Sequence, residues 1–411
     1  AGAFFKPGPA LGGMARAFIR RYRGEEPVAF LHPALEPILG RTKGVLIFQE
    51  QVLRLAVEIA GLDWAQADRL RRGISKFKAA EIDALAAEFV AGCMRPAPGG
   101  PGMSAEQAGQ LWAQIVPFAG YGFNQGHATA YADVAYRSAF LKAHWPAEFL
   151  CARLADAGGF HHPAVYVAEA ERLGIAVRPP HANHSGEAFT LSYEYDTDGD
   201  RPVLWMGLGA VRDLRRASVA AIVAERARAP FSGPADLLAR AGLSLKEMGN
   251  LVRCGALDGL GESRAAMLDA AGAAGRAGSP NQMRFDFADV SAIQAETTAD
   301  RLSWEMEILG RPASVHPLEL VRRGKSDLGV RRLRETRGRP ATALVVRIPG
   351  WPGGAGFFMG DGDDFAIARP AKALADEKTR RPVWQPLRLS GRWRVDEWGG
   401  GWFEFETYEL P

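Results

Sequence analysis

Residues 118–149 read FAGYGFNQGHATAYADVAYRSAFLKAHWPAEF, and no other stretch constrains the chain as tightly. Gly120 and Gly122 free the backbone for a tight turn or for close approach to a ligand. The run from Ala128 to His144 contains neither Gly nor Pro and reads as one helix, so the corner before it lies at a helix start. That corner carries the flat faces of Tyr121, Phe123 and Tyr131 and the donors of Asn124, Gln125 and His127. Unpaired N–H groups and partial positive charge at a helix start favour an anion such as a phosphate. A tight helix–loop–helix corner, closed by glycines for packing alone, fits the residue types equally well.

A chain of 411 residues with 47% apolar and 24% charged residues has room for two or three domains with substantial cores. The formal net charge is only +3, but its distribution is uneven. Residues 1–80 hold 13 Lys or Arg against 7 Asp or Glu, and residues 321–340 hold 8 against 2, each a local net of +6. Such stripes suit a surface that tracks a polyanion, although a solvated charged face has the same composition. Cys93, Cys151 and Cys254 stand far apart with no CxxC pair, which fits a reducing cytoplasm without a disulfide framework. No signal peptide or long apolar run is present, so no membrane partner is expected. The chain begins at Ala1 and reads as a piece of something longer.

The expected fold class is α+β, mostly α. Phe48, Val52, Leu55 and Ile59 recur at helical spacing, as do Trp112, Ile115 and Val116. A helix over Val165–Leu173 gives way to β-like pieces at Phe189–Tyr195 and Val203–Met206. Two helical units follow at 207–230 and 231–270, then an Ala-, Gly- and Ser-rich linker over 271–300 and a short helix at 301–310. Ala341–Ile348, Gly356–Met359, Asp364–Ala368, Leu387–Val395 and Trp402–Tyr408 read as strands joined by Gly- and Asp-containing turns, which suggests a small closed barrel.

Several clusters have the chemistry of phosphate or nucleic-acid contact. Arg69, Arg72 and Lys76 share a helix face at three- and four-residue spacing if the segment is helical, and clustered guanidinium groups suit a triphosphate. Lys6-Pro7-Gly8-Pro9 makes a basic turn, while Gln49 and Glu50 of Phe48-Gln49-Glu50-Gln51 are placed to cap a helix. Arg212, Arg215 and Arg216 lie near the start of a helical hairpin. Gln282-Met283-Arg284-Phe285-Asp286-Phe287 in the linker suits a short peptide docking in an apolar pocket. In the barrel, Trp351, Phe357, Phe358, Trp393 and Trp402 offer stacking faces near Arg347 and Arg392, and core packing would use the same residues. His161, His162, His181 and His184 with Cys151 lack ligand spacing on a common helix face, so no metal is expected there.

The segment FAGYGFNQGHATAY with LKAHWPAEF resembles the fingers of C-family bacterial DNA polymerases, whose pattern is close to FAGYGFNKSHAAAY and LKAHYPAEF. The resemblance extends to RPGP (here with Lys6 in place of Arg), to YQEQ, and to LRRAMGKK, where Gly73 and Ile74 depart from the usual pair. It implies a fingers domain over 1–206, tandem helix-hairpin-helix units over 207–270, a linker over 271–300 with a clamp-binding peptide (Gln282, Met283, Phe285, Phe287), a connecting segment over 301–339, and an oligonucleotide-binding barrel over 340–411. By the same resemblance Lys6, Arg71, Arg72, Lys76, Tyr121, Asn124 and His127 would hold an incoming deoxynucleoside triphosphate. Arg212, Arg215, Arg216, Arg347 and Arg392 would hold primer–template DNA. Gln125-Gly126 stands where the family has Lys-Ser, and Asp213-Leu214-Arg215 where the first hairpin usually has glycines.

The family's catalysis uses Mg2+ on palm aspartates, and no palm-like Asp-x-Asp strand occurs in this sequence; Asp196-Thr197-Asp198 and Asp361-Gly362-Asp363 read as turns. The expectation is therefore the carboxy-terminal part of a DNA-directed DNA polymerase, inactive without a palm-bearing partner. The competing expectation is a non-catalytic DNA-binding or clamp-adaptor protein, and a helical protein–protein scaffold is a third class.

Overall fold

A computed structural model describes residues 13–72, 79–116, 123–156, 158–196, 199–276, 294–323, 329–338, 340–372, 382–396 and 400–411. The chain divides into two compact units, Ala1–Phe140 and Leu141–Pro411. This division falls inside the 1–206 segment that the sequence suggested as one domain.

The first unit is helical. Its elements are α1 (Met14–Tyr22), α2 (Gln49–Arg54), α3 (Trp64–Arg72), α4 (Ala79–Met94), α5 (Ala105–Ile115) and most of α6 (Gln125–His144). Of the expected stripe, Val52, Leu55 and Ile59 are buried together with Leu35, Leu70, Phe89, Leu111 and Ile115, while Phe48 is half-buried in a separate small cluster with Val45 and Ile47. Phe89 packs at 5.3 Å on Trp112, and a buried side chain of this size contributes roughly 1.5–3 kcal/mol. After Arg54 the helix loosens into a π turn, Leu55–Ile59, and the carbonyl of Ala60 then presses on α4. At that contact a Cβ on Gly92 would lie 1.7 Å from the Ala60 oxygen, so only glycine fits. Ser104 and Gln107 form a capping box at the start of α5.

In the second unit, α7 (Pro146–Asp156) and α8 (Pro163–Arg172) cover a three-stranded sheet of β1 (Ala176–Arg178), β2 (Thr190–Asp196) and β3 (Gly199–Trp205). The order is β1-β3-β2, with β1 parallel and β2 antiparallel to β3. The two longer strands match the expected β-like pieces. The three-residue β1 escaped the sequence pattern because so short a piece shows no alternation.

The helices α9 (Arg216–Arg228), α10 (Pro234–Ala241), α11 (Leu245–Arg253) and α12 (Arg264–Arg276) follow. The sequence suggested two units here, but the structure has one core. Leu208, Ile222, Phe231, Leu237, Met248, Leu251 and Met267 pack together with Ile308 of α13 (Thr298–Leu309). The helix α12 also runs to Arg276, into the segment read as linker.

Beyond α14 (Pro317–Arg322) lie β4 (Ala341–Ile348), β5 (Phe357–Gly360), β6 (Phe365–Pro370), β7 (Pro386–Val395) and β8 (Gly401–Glu409). They close into a barrel in the order β4-β5-β6-β8-β7, all neighbours antiparallel except β6 and β8. Each expected strand is present within about two residues. Strand β4 is buried on both faces: Ala343 and Val345 fill the barrel, while Leu344, Val346 and Ile348 pack on Leu318, Val165 and Trp384. Asp361 closes the turn at its own position. Its carboxylate accepts N–H groups from Leu333 (2.7 Å), Asp363 (3.0 Å) and Asp364 (2.9 Å). The fold is thus mostly helical with a closed five-stranded barrel at its end.

Candidate nucleotide and nucleic-acid sites

In the first unit, three segments distant in sequence meet. The α2 start is fixed by Gln51, whose Oε1 accepts the N–H groups of Ile47 and Phe48 at 2.9 Å each while its Nε2 donates to Thr42 Oγ1 at 2.7 Å. Capping was expected from Gln49 and Glu50, but the buried Gln51 performs it. Gln49 donates its backbone N–H to the Phe123 carbonyl at 3.0 Å, and its Oε1 lies 3.5 Å from an Arg71 Nη1 donor. Glu50 accepts the backbone N–H of Gln125 at 2.8 Å. The pairing of Phe48 with Phe123 thereby draws α2, the end of α3 and the start of α6 to one corner.

Arg71 and Arg72 share the carboxylate of Asp68, at 2.8 and 2.7 Å. Hydrogen bonding from Arg71, with Arg72 adding, holds the Asp68 carboxyl below its usual range. The spacing of Asp68 three and four residues before the arginines was the available signal for this clamp. Asn124 caps α6, its Oδ1 accepting the N–H of His127 at 2.7 Å. The His127 ring meets Tyr131 edge-on at 4.6 Å and Phe123 at 5.6 Å. Two amides of the suspected anion-binding start are thus taken by the chain's own oxygens, from Glu50 and Asn124. Lys6, Lys76 and Tyr121 lie outside the described residues.

In the second unit the first hairpin turns at Asp213, which has φ 58° where a glycine would be unstrained. Its carboxylate pairs with Lys246 at 2.9 Å. Arg215 was expected to meet DNA, but its guanidinium grips Glu247 in a bidentate pair, both contacts at 2.9 Å. Glu247 escaped sequence reading, although Ser244-x-x-Glu247 is a capping-box pattern. Arg216 is 95% exposed and lies 3.8 Å from a Glu187 carboxylate oxygen. Arg212 is exposed, and its carbonyl is held by Asn250 Nδ2 at 2.7 Å. The second hairpin turns through Gly255 and Gly259, both in the left-handed region, and is locked from beneath by the buried Arg264.

On the barrel, Phe357 and Phe358 are buried and offer no stacking face, because both faces of this short strand are covered. Trp351 is exposed and Trp402 lies under Arg369 at 4.7 Å. Trp393 donates its indole N–H to Thr336 Oγ1 at 2.6 Å, with Arg337 over its ring. Arg392 pairs with Glu406 across β7 and β8, and Arg347 is half-buried on β4. The peptide Gln282, Met283, Phe285 and Phe287 lies outside the described residues. Among the described residues no group of three or more His, Cys, Asp or Glu could hold a metal ion. None of their helices is long and apolar enough to cross a membrane.

Residues 1–96 match the family described as the bacterial DNA polymerase III alpha subunit finger domain, and residues 174–267 match the helix-hairpin-helix motif. The chain is 36% identical over 356 residues to an error-prone DNA polymerase of Anaeromyxobacter sp. (strain K), covering 84% of this chain and 30% of that protein. It is 32% identical over 330 residues to an error-prone DNA polymerase of Corynebacterium glutamicum, covering 80% and 30%. It is 33% identical over 345 residues to a DNA polymerase III subunit alpha of Helicobacter pylori, covering 77% and 28%. The chain thus spans about 30% of the length of these curated relatives.

Proposed function

We propose that this chain, a relative of the C-family bacterial DNA polymerases over most of its length, handles incoming nucleotide and template for DNA-directed DNA synthesis in the cytoplasm. In this reading Arg71, Arg72, Asn124 and His127, with Lys6, Lys76 and Tyr121, receive a deoxynucleoside triphosphate. The hairpins and the barrel hold primer–template DNA. Chemistry at the primer end, with its Mg2+, belongs to a palm-bearing part of the polymerase, and the chain alone does not extend a primer. Residues 282–287 would dock on a sliding clamp.

The observation that supports this reading most is the corner where Gln49 meets both Arg71 and Phe123, the residue before Asn124. Three motifs up to 75 residues apart meet there, and a packing corner alone gives no reason for a paired guanidinium cluster beside it.

The test is binding of a deoxynucleoside triphosphate and of a primer–template duplex to the chain, each over a salt series. The expected result is salt-dependent binding of both, with Arg71→Ala/Arg72→Ala weakening the triphosphate far more than the duplex. Absence of salt-dependent DNA binding would favour a helical scaffold, and DNA binding without triphosphate binding would favour a non-catalytic adaptor.

A further inference from the structure

A helix start leaves amide N–H groups without intrahelical partners, and these attract oxyanions. The start of α9 in the first hairpin and the start of α11, which leads into the second, open on one cup of about 530 Å3, lined by Asp213, Leu214, Arg215, Ser244, Lys246 and Glu247. An oxyanion is already seated there, and it belongs to the chain. Glu247 Oε1 accepts the backbone N–H of Arg215 (3.2 Å), the Arg215 Nε (2.9 Å) and the Ser218 hydroxyl (2.6 Å). Its Oε2 accepts the backbone N–H of Ser244 (2.9 Å), the Ser244 hydroxyl (2.8 Å) and a second Arg215 nitrogen (2.9 Å). The side chain is only 3% exposed.

The second hairpin repeats the arrangement with an unrelated residue. The N–H of Ala265, in the first turn of α12, donates to Glu296 Oε2 at 3.0 Å. Glu296 Oε1 is held by Arg301 at 2.6 Å, and its side chain is 1% exposed. A phosphate reaching the Arg215, Ser244 or Ala265 amide would have to displace a carboxylate that already accepts its N–H. In the first hairpin it would also meet the charge of Asp213, beside Lys246.

We infer that Glu247 and Glu296 are resident anions that close the helix-start amides of both hairpins to phosphate. DNA then meets the first hairpin through the side-chain cations on its rim, Arg212, Arg216 and Lys246. The choice of DNA as ligand rests on the proposed function, whereas the occupancy of the amides does not. The departure of Asp213-Leu214-Arg215 from a glycine turn follows from this arrangement: a turn whose amides face a carboxylate has no need to let a phosphate backbone come close.

Two measurements decide it. The amide resonances of Arg215, Ser244 and Ala265 are followed in the 15N-labelled chain as inorganic phosphate is added. They should stay fixed in the native chain, and Arg215 and Ser244 should move in Glu247→Gln, which keeps the capping oxygen and loses the charge. Saturable movement in the native chain overturns the inference, whatever the variant does.

The second measurement is duplex affinity over a salt series. Asp213→Asn, which tolerates the left-handed turn and frees Lys246, should tighten binding several-fold. Arg216→Ala should weaken it and lower the slope of log affinity against log salt by about 1. If the native chain binds DNA and neither variant changes affinity or slope, the rim cations are not the contact and the inference fails. If the native chain binds no DNA, the proposed function fails, and the phosphate titration still decides whether the amides are closed.

Discussion

The carboxylate of Glu50 accepts the backbone N–H of Gln125 at 2.8 Å, joining the first turn of α2 to the first residue of α6 across 75 positions. An acidic group there satisfies one orphan amide and complements the helix dipole. Glu50→Ala should therefore cost about 1 kcal/mol in the first unit and speed amide exchange at Gln125, while His127, capped by Asn124, keeps its protection. Hydrogen exchange read residue by residue checks this, and equal loss at both amides would show that the cap acts through the whole corner.

Asp68 holds Arg71 and Arg72 together, and all three side chains are at least a third exposed or close to it. Exposed pairs of this kind contribute roughly 0.2–1 kcal/mol, so Asp68→Asn should fold almost as well as the native chain. The proposed triphosphate site should gain affinity, since both guanidinium groups lose an internal competitor. Calorimetric titration with a deoxynucleoside triphosphate reads it. Weaker binding by the variant would mean that Asp68 orients Arg71 for the ligand.

The five barrel strands were legible because alternating apolar residues and Gly- and Asp-containing turns mark each one locally. The fingers and hairpins were legible through long motifs. What stayed hidden was side-chain partnership over distance. Gln51 rather than Gln49 caps α2 because it is the buried one, and helical periodicity carries no information on which amide of a Gln-Glu-Gln run points inward. Arg215 looked like a free cation because its partner Glu247 lies 32 residues away. Phe357 and Phe358 read as stacking faces or core, and the core reading holds because β5 is covered on both sides.

Arg264 and Glu305 are both fully buried and paired at 3.0 Å. Arg264 also holds Asp258 in a bidentate grip and donates to the Arg253 carbonyl at 2.9 Å, so one side chain ties the second hairpin to α13. Glu305 in turn accepts the N–H groups of Ala313 and Ser314, at 2.8 and 2.9 Å. Removing one partner of such a pair strands the other charge in the core. Glu305→Ala should then cost roughly 3–5 kcal/mol in the hairpin region, and Arg264→Met/Glu305→Met should recover much of it. Denaturant unfolding followed by hydrogen exchange of α11 and α12 gives the comparison. A double variant no better than the single one would place the loss in packing rather than in charge.

His316 caps α14 by accepting the N–H of Leu318 at Nδ1, at 3.3 Å, which requires that nitrogen to be unprotonated. Burial, with Arg322 adding and Asp361 and Glu319 opposing, pushes its pKa down to about 4. The unfolded chain, with a histidine near the ordinary 6.5, binds the proton more readily than the folded one. Stability from this group is therefore complete above about pH 6.5, falls as the pH drops toward 4, and changes no further below that. His316→Asn keeps a capping oxygen and removes the titration. Thermal unfolding of the native chain should decline between pH 6.5 and 4 more steeply than that of the variant, and parallel curves for the two would show that another group carries the acid sensitivity.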